Sequence, residues 1–224
     1  MPPSLPPAAR RALVVATGNP GKLREFRTLL ADLPFEVVAQ SDLGVEGPAE
    51  TGASFLENAL LKARHAAQAT QSAAIADDSG LEVDALGGAP GIYSARYAGP
   101  GASDAANNAK LLSALAGWPA AARRARYRCV LVFVSGPDDR SPLTAHGVWE
   151  GTILDAPRGT RGFGYDPYFW VPELNASAAE LDPAQKNRCS HRGMALRSLG
   201  ALLAAGEGLP TAAAGRSAGA DHGR

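Results

Sequence analysis

Only two cysteines occur in the 224 residues, Cys129 and Cys189, and they lack the paired spacing that zinc or iron–sulfur ligation requires. Both read as reduced thiols of an intracellular protein, and Cys129, inside the apolar run Tyr127–Val134, reads as a core residue rather than a nucleophile. No sign of charge predominates: 22 basic residues face 22 acidic ones, which argues against a nucleic-acid polymer or a polybasic membrane surface as partner. A small polyanion stays open, because a few cations converging in one cleft suffice to bind it. No apolar run is long enough to span a membrane, and the prolines and arginines of residues 1–11 contain no stretch of signal-peptide type. These features predict a short flexible leader on a cytoplasmic protein. Neither an internal repeat nor a charge block is present. With 46% hydrophobic and 20% charged residues the body of the chain is of globular type, not disordered or collagenous.

What is there alternates. An apolar run Ala12–Ala16 predicts a strand that stops at the loop Thr17-Gly18-Asn19-Pro20-Gly21. Leu23, Phe26, Leu30 and Leu33 then recur at helical steps. A second strand is expected over Phe35–Ala39, and a long helix over Thr51–Ala69, capped by Thr51 or Ser54. Its expected buried stripe is Leu56, Leu60, Ala63 and Ala67, with Asn58, Lys62 and His65 on another face. Ala73–Ala76 reads as a buried strand ending in an acidic turn, Asp77-Asp78-Ser79-Gly80, followed by a long irregular excursion over Leu81–Gly101. Next come a Ser103-capped helix to Leu115, antiparallel strands Tyr127–Ser135 and Leu143–Gly151, and a glycine loop Arg161–Pro167. An aromatic run, Tyr168–Val171, and a closing helix, Arg188–Leu203, complete the body; residues 205–224 read as a disordered Gly/Ala-rich tail. The pattern predicts one α/β domain over residues 12–204, with a mixed β-sheet flanked by helices.

Three segments could carry chemistry. Thr17, Gly18, Asn19, Pro20, Gly21 and Lys22 lie between a strand and a helix, where amides and a lysine converge on phosphate, although a tight turn with a surface lysine has the same composition. It is not a Walker loop, since Ala16 and Leu23 stand where that motif needs glycine and a hydroxyl. Glu50, Asp77 and Asp78 offer hard oxygens to Mg²⁺, and adjacent carboxylates could repel one another so that one acts as general base; a solvated acidic turn is the plainer alternative. Phe163, Gly164, Tyr165 and Asp166 set aromatic rings beside glycine, either as a platform for a flat base or as a packed corner. Lys22, Lys62, Lys186 and Arg192 together could meet a triphosphate, with His191 beside them as a hydrogen-bonding group.

Five separated segments occur in the order seen in the inosine/xanthosine triphosphate pyrophosphatases, the house-cleaning nucleotide hydrolases, which the chain resembles from about Leu13 to Leu203. They are Thr17–Lys22; Glu50-Thr51-Gly52 with Phe55-Leu56-Glu57-Asn58-Ala59; Ile75–Asp84 continuing to Gly91-Ile92-Tyr93-Ser94-Ala95-Arg96-Tyr97; Gly162–Pro167; and Ser190-His191-Arg192. The resemblance implies Mg²⁺-dependent hydrolysis of ITP, dITP and XTP to the monophosphate and pyrophosphate, in a cleft between two lobes around a long mixed sheet, by a homodimer. It implies that Thr17–Lys22 bind phosphates, that Glu50 and Asp78 hold the metal, and that Asp78 accepts the proton. Lys62 and Ser79 would contact substrate, Phe163–Asp166 would line the base pocket, and Lys186, His191 and Arg192 would complete the nucleotide site. Two other readings stand beside it: a pyrophosphatase for other noncognate nucleotides, and a sensor that binds a triphosphate without cleaving it.

Overall fold

The protein, a computed structural model, is described over residues 11–31, 33 and 35–206. The expected leader and Gly/Ala tail lie outside the described residues, apart from Arg11, Ala205 and Gly206. In chain order the regular elements are β1 (Arg11–Val15), α1 (Pro20–Leu29), β2 (Phe35–Ala39), α2 (Phe55–Thr70), β3 (Ala73–Val83) and α3 (Asp104–Ala114). They continue with β4 (Arg124–Val134), β5 (Leu143–Ile153), β6 (Phe169–Val171), β7 (Ala176–Ser177), α4 (Pro183–Cys189) and α5 (His191–Ala204). Among the described residues no helix is long and apolar enough to cross a membrane.

All seven strands form one mixed sheet in the order β2-β1-β3-β4-β5-β6-β7. β1 runs parallel to both β2 and β3, whereas every pairing from β3 onward is antiparallel. The chain leaves β1 for β2 through α1 and returns past β1 to β3 through α2. The right-handed rule for crossovers between parallel strands, applied to a path that reverses direction, puts the two helices on opposite faces. Packing agrees: Leu13, Val15, Ile75, Cys129, Leu131 and Phe133 meet Phe26 and Leu30 of the α1 segment and Leu196 and Leu199 of α5. Val14, Ala74, Ala76, Val130 and Val132 meet Ala59, Ala63, Ala66 and Ala67 of α2. A third apolar cluster, with Leu81, Leu111, Trp149, Phe169 and Val171, fills the other end of the long strands and forms a second lobe.

Several local expectations are corrected. Asp77-Asp78-Ser79-Gly80 is not a turn but the middle of β3, because β4 pairs it residue by residue from Asp77↔Leu131 to Gly80↔Arg128. The irregular excursion accordingly begins only after Val83. On α2, capped by Ser54, the buried residues include Phe55, Asn58 and Ala66, while Leu56 is exposed. The closing helix is two helices, with Ser190 ending α4 and capping α5 through a bond from the Gly193 amide. Cys129 is buried in the core, and burial pushes its thiol up, as expected of an inert residue.

At the start of α5, His191 stacks on Tyr127 at 4.7 Å and 8°, and its Nδ1 has no partner among the described residues. Burial, with Arg192 and Lys186 close by, holds the imidazole well below the usual histidine range. The folded state therefore refuses a proton that the unfolded chain accepts, and stability falls as pH drops below the ordinary histidine value. Denaturant titrations from pH 7.5 to 5.5 should show this loss at up to about 1.4 kcal/mol per pH unit, with a flatter slope in His191→Gln. An equal slope in both proteins would refute it. Gly147 of β5 marks where α5 comes closest: a Cβ there would lie 2.8 Å from the His191 carbonyl carbon and 3.0 Å from the Ala195 amide nitrogen. Gly147→Ala should destabilise by about 3 kcal/mol, read as a lowered urea midpoint at unchanged slope.

Candidate active site

β3 outlasts β1. Their pairing ends at Val15↔Ile75, so Asp77, Asp78 and Ser79 lie just beyond the carboxyl end of β1. In open α/β sheets this is where ligands bind, at the point where the connections diverge to opposite faces. Successive strand residues face opposite ways, so Asp77 points to the α1/α5 side with Ile75 and Ser79, and Asp78 to the α2 side with Ala74 and Ala76. The two acids are neighbours in sequence but belong to different charge clusters.

Asp77 is buried and meets Lys22 Nζ at 3.0 Å, while Nε and NH2 of Arg192 each donate to its Oδ2 at 3.2 Å. Ser79 Oγ lies 2.9 Å from the same oxygen and 3.0 Å from Arg192 NH2. Burial would raise this carboxyl, but Lys22 and Arg192 outweigh it and hold Asp77 ionised, far below the usual carboxylate range. The network then runs on. Arg192 NH1 donates to Glu25 of α1, Glu25 lies 3.7 Å from Lys186 Nζ, and Lys186 donates to Asp166 Oδ2 at 2.5 Å. Asp166 also accepts the Phe163 amide at 2.9 Å, which fixes the aromatic glycine loop to α4. Four of the five guanidinium N–H groups of Arg192 are engaged in this way, leaving one for a ligand.

On the other face, Asn58 and Lys62 lie one helical turn apart on α2 and both reach Asp78. Lys62 Nζ is 2.8 Å from Asp78 Oδ1 and 3.0 Å from Glu50 Oε1. Asn58 Nδ2 donates to Asp78 Oδ2 at 3.3 Å, and Arg96 NH1 to Glu50 Oε2 at 2.6 Å. The amide of Asn58 cannot be reversed, since its Oδ1 accepts the Gly52 N–H at 2.8 Å. Burial raises the Asp78 carboxyl above its ordinary value against the pull of Lys62; Glu50, also desolvated, is brought down by Lys62 and Arg96. The raised carboxyl owes its shift first to burial, with a smaller push from Glu50, while Lys22 and Lys62 neutralise the adjacent aspartates.

The expected residues are thus brought together as two linked groups. A cavity of about 250 Å³ is walled by Asn19, Lys22, Ser79, Phe163, Gly164, Tyr165, Asp166, Lys186, His191 and Arg192, among others. Glu50, Lys62 and Asp78 stand outside its wall, on the α2 face. Thr17, Gly18 and Pro20 do not line it either, and Gly21 packs beneath the Phe163 ring instead. The loop itself opens α1 as expected, but Asn19 Oδ1 caps the helix, accepting Gly21 N–H at 2.8 Å and Lys22 N–H at 3.2 Å. Those two amides already have a partner, so the loop's charge toward a ligand is the Lys22 ammonium, itself paired with Asp77.

Glu25, Asn58 and Arg96 were not assigned from sequence. Glu25 lies three residues after Lys22, hence on the same side of α1, which is the signal that could have found it. The 3-10 turn Gly91–Arg96 touches both ends of the site. Arg96 holds Glu50, and the Ser94 carbonyl accepts the Tyr165 hydroxyl at 2.8 Å. Gly80 admits this turn, for a Cβ there would lie 2.6 Å from Ser94 Oγ.

Comparison with known proteins places this arrangement. A dITP/XTP pyrophosphatase of Vibrio parahaemolyticus is 59% identical over 195 residues, 87% of this chain and 98% of that protein. Another, of Yersinia pseudotuberculosis, is 60% identical over 185 residues, 83% of this chain and 94% of its own. The solved structure of a HAM1 protein from Coxiella burnetii matches with a TM-score of 0.81 at 47% identity, covering 87% of this chain and 99% of that one. With the Ham1 family model also matching residues 13–202, from the middle of β1 to the last turn of α5, the fold and every residue of both charge clusters fall within the match, and the chain belongs to the Ham1 family.

Proposed function

We propose that the protein is a hydrolase that converts non-standard purine nucleoside triphosphates, dITP, ITP and XTP, to the monophosphate and pyrophosphate, and so clears them from the nucleotide pool. The observation that carries this reading is the pair of charge clusters at the end of β1, in a chain 59% identical to a dITP/XTP pyrophosphatase over nearly that protein's full length. A pure sensor would need the cations but no desolvated carboxylate of raised basicity, and Asp78 is one.

In this reading the base enters beside Phe163, where Lys186, His191 and the remaining N–H of Arg192 face it. A 6-keto purine accepts a hydrogen bond at O6 where adenine presents a donor, and one donor left unpaired costs roughly 1–3 kcal/mol. Lys22 and Lys62 meet the phosphates. Asp78 takes the proton of the water that attacks the α-phosphorus, and Asn58 keeps the carboxylate aimed.

Mg²⁺ fits the donor set. No three His, Cys, Asp or Glu side chains converge among the described residues, but Glu50 Oε1 and Asp78 Oδ1 do converge, on the Lys62 ammonium. Two carboxylates plus substrate phosphates is a common way of holding this ion. Glu50 and Asp78 would hold it, and it would supply charge neutralisation on the phosphate oxygens. We further infer a cytoplasmic homodimer from family membership alone; sedimentation should give twice the 23.0 kDa chain mass.

Turnover of dITP, ITP, XTP, GTP and ATP, with pyrophosphate and orthophosphate quantified separately, tests the reading. Pyrophosphate from the first three with little from the last two is expected; orthophosphate would move the attack to the γ-phosphorus. Asp78→Asn should lower kcat by a factor of about 10² or more with the fold intact by circular dichroism. Near-normal turnover in that variant would remove Asp78 from the role of base.

A further inference from the structure

The most unusual feature of the site is that Lys62 occupies the point at which Glu50 and Asp78 converge. Each of those carboxylates has one oxygen held by a neutral or fixed partner: Glu50 Oε2 by Arg96 and Asp78 Oδ2 by Asn58. The other oxygen of each, Glu50 Oε1 and Asp78 Oδ1, is bound within the described residues by Lys62 alone, at 3.0 and 2.8 Å. The ammonium thus sits on the pair of oxygens that a divalent cation would need.

We propose that Lys62 is an internal stand-in for that cation, and that metal binding is an exchange in which Lys62 leaves the two carboxylates and passes to the triphosphate. This deepens the proposed function and rests on its assignment of Glu50 and Asp78 as the metal's ligands. The two occupants exclude each other, since Mg²⁺ requires oxygens at about 2.0–2.1 Å and places its own two charges where the ammonium stands. The lysine suits such an exchange: its charge rides on a flexible four-carbon stem, whereas the neighbouring guanidinium of Arg96 is a planar fork. Burial works against its charge, but Asp78, Asp77 and Glu50 outweigh that and keep it protonated while it is paired with them.

The consequence is linkage. In the absence of nucleotide the metal competes with a tethered charge for both carboxylates. A triphosphate offers Lys62 another anion and frees them, so nucleotide and metal bind with positive cooperativity, and each raises the affinity of the other by the same factor. Charge pairing at rest also spares the fold an uncompensated carboxylate pair.

The test is direct binding of Mn²⁺, followed by electron paramagnetic resonance, to the full chain and to Lys62→Met, each with and without a non-hydrolysable dITP analogue. Lys62→Met should bind Mn²⁺ alone about tenfold more tightly than the unaltered chain, and the analogue should tighten binding in the unaltered chain by a larger factor than in the variant. Equal or weaker Mn²⁺ binding by folded Lys62→Met would overturn the exchange while leaving Glu50 and Asp78 as ligands. Failure of Mn²⁺ to bind either protein, with or without the analogue, would instead overturn the metal assignment on which it rests. Should Lys62→Met not fold, amine labelling of the unaltered chain decides: Mn²⁺ should raise the acylation rate of Lys62 relative to the other lysines, and an unchanged ratio would refute the proposal.

Discussion

Charge compensation beneath β3 is the requirement on which the rest of this molecule depends. A strand that carries two consecutive aspartates through the interior sends one to each face, and a buried carboxylate persists only where a cation or a set of donors meets it. The helices answer that demand separately. α1 and α5 bring Lys22 and Arg192 to Asp77, and α2 brings Lys62 and Asn58 to Asp78. The topology makes this possible, because the reversal at β1 is what places α1 and α2 on opposite sides of the sheet.

A consequence for binding is that no strong cation of the site waits unpartnered. Lys22, Lys62, Lys186 and Arg192 all hold carboxylates. A polyanion entering here does not simply add attraction; it replaces one set of ion pairs by another, and its affinity is the difference between them.

Much of this was legible in the sequence, and the reasons for the exceptions are physical. Strand and helix periods located β1, β2, α1, α2, α3, β4 and β5 to within a few residues, and the charged residues of the site could be named by type. Asp77-Asp78-Ser79-Gly80 has the composition of a turn, and only the pairing of β4 along its whole length holds it extended. Asn58 was expected off the buried stripe, but it is buried and its amide serves the Gly52 N–H and Asp78, partners that no local pattern discloses. α4 had a readable start in Asp182, Pro183 and Gln185, a capping box with proline in the first turn, but its seven residues are too few to show a helical period. Glu25 and Arg96 act through other charged residues, so their roles exist only once the fold has assembled those residues around them.

The turn Gly91–Arg96 joins the lobes mechanically as well as chemically. One of its residues grips Glu50 and another the aromatic loop, and they are only two positions apart in the chain, Arg96 and Ser94. The turn is therefore a gauge block: the span between Glu50 and the aromatic loop is set by a fixed number of backbone atoms. Its length is fixed, because adding or removing a single residue would pull one grip out of register with the other.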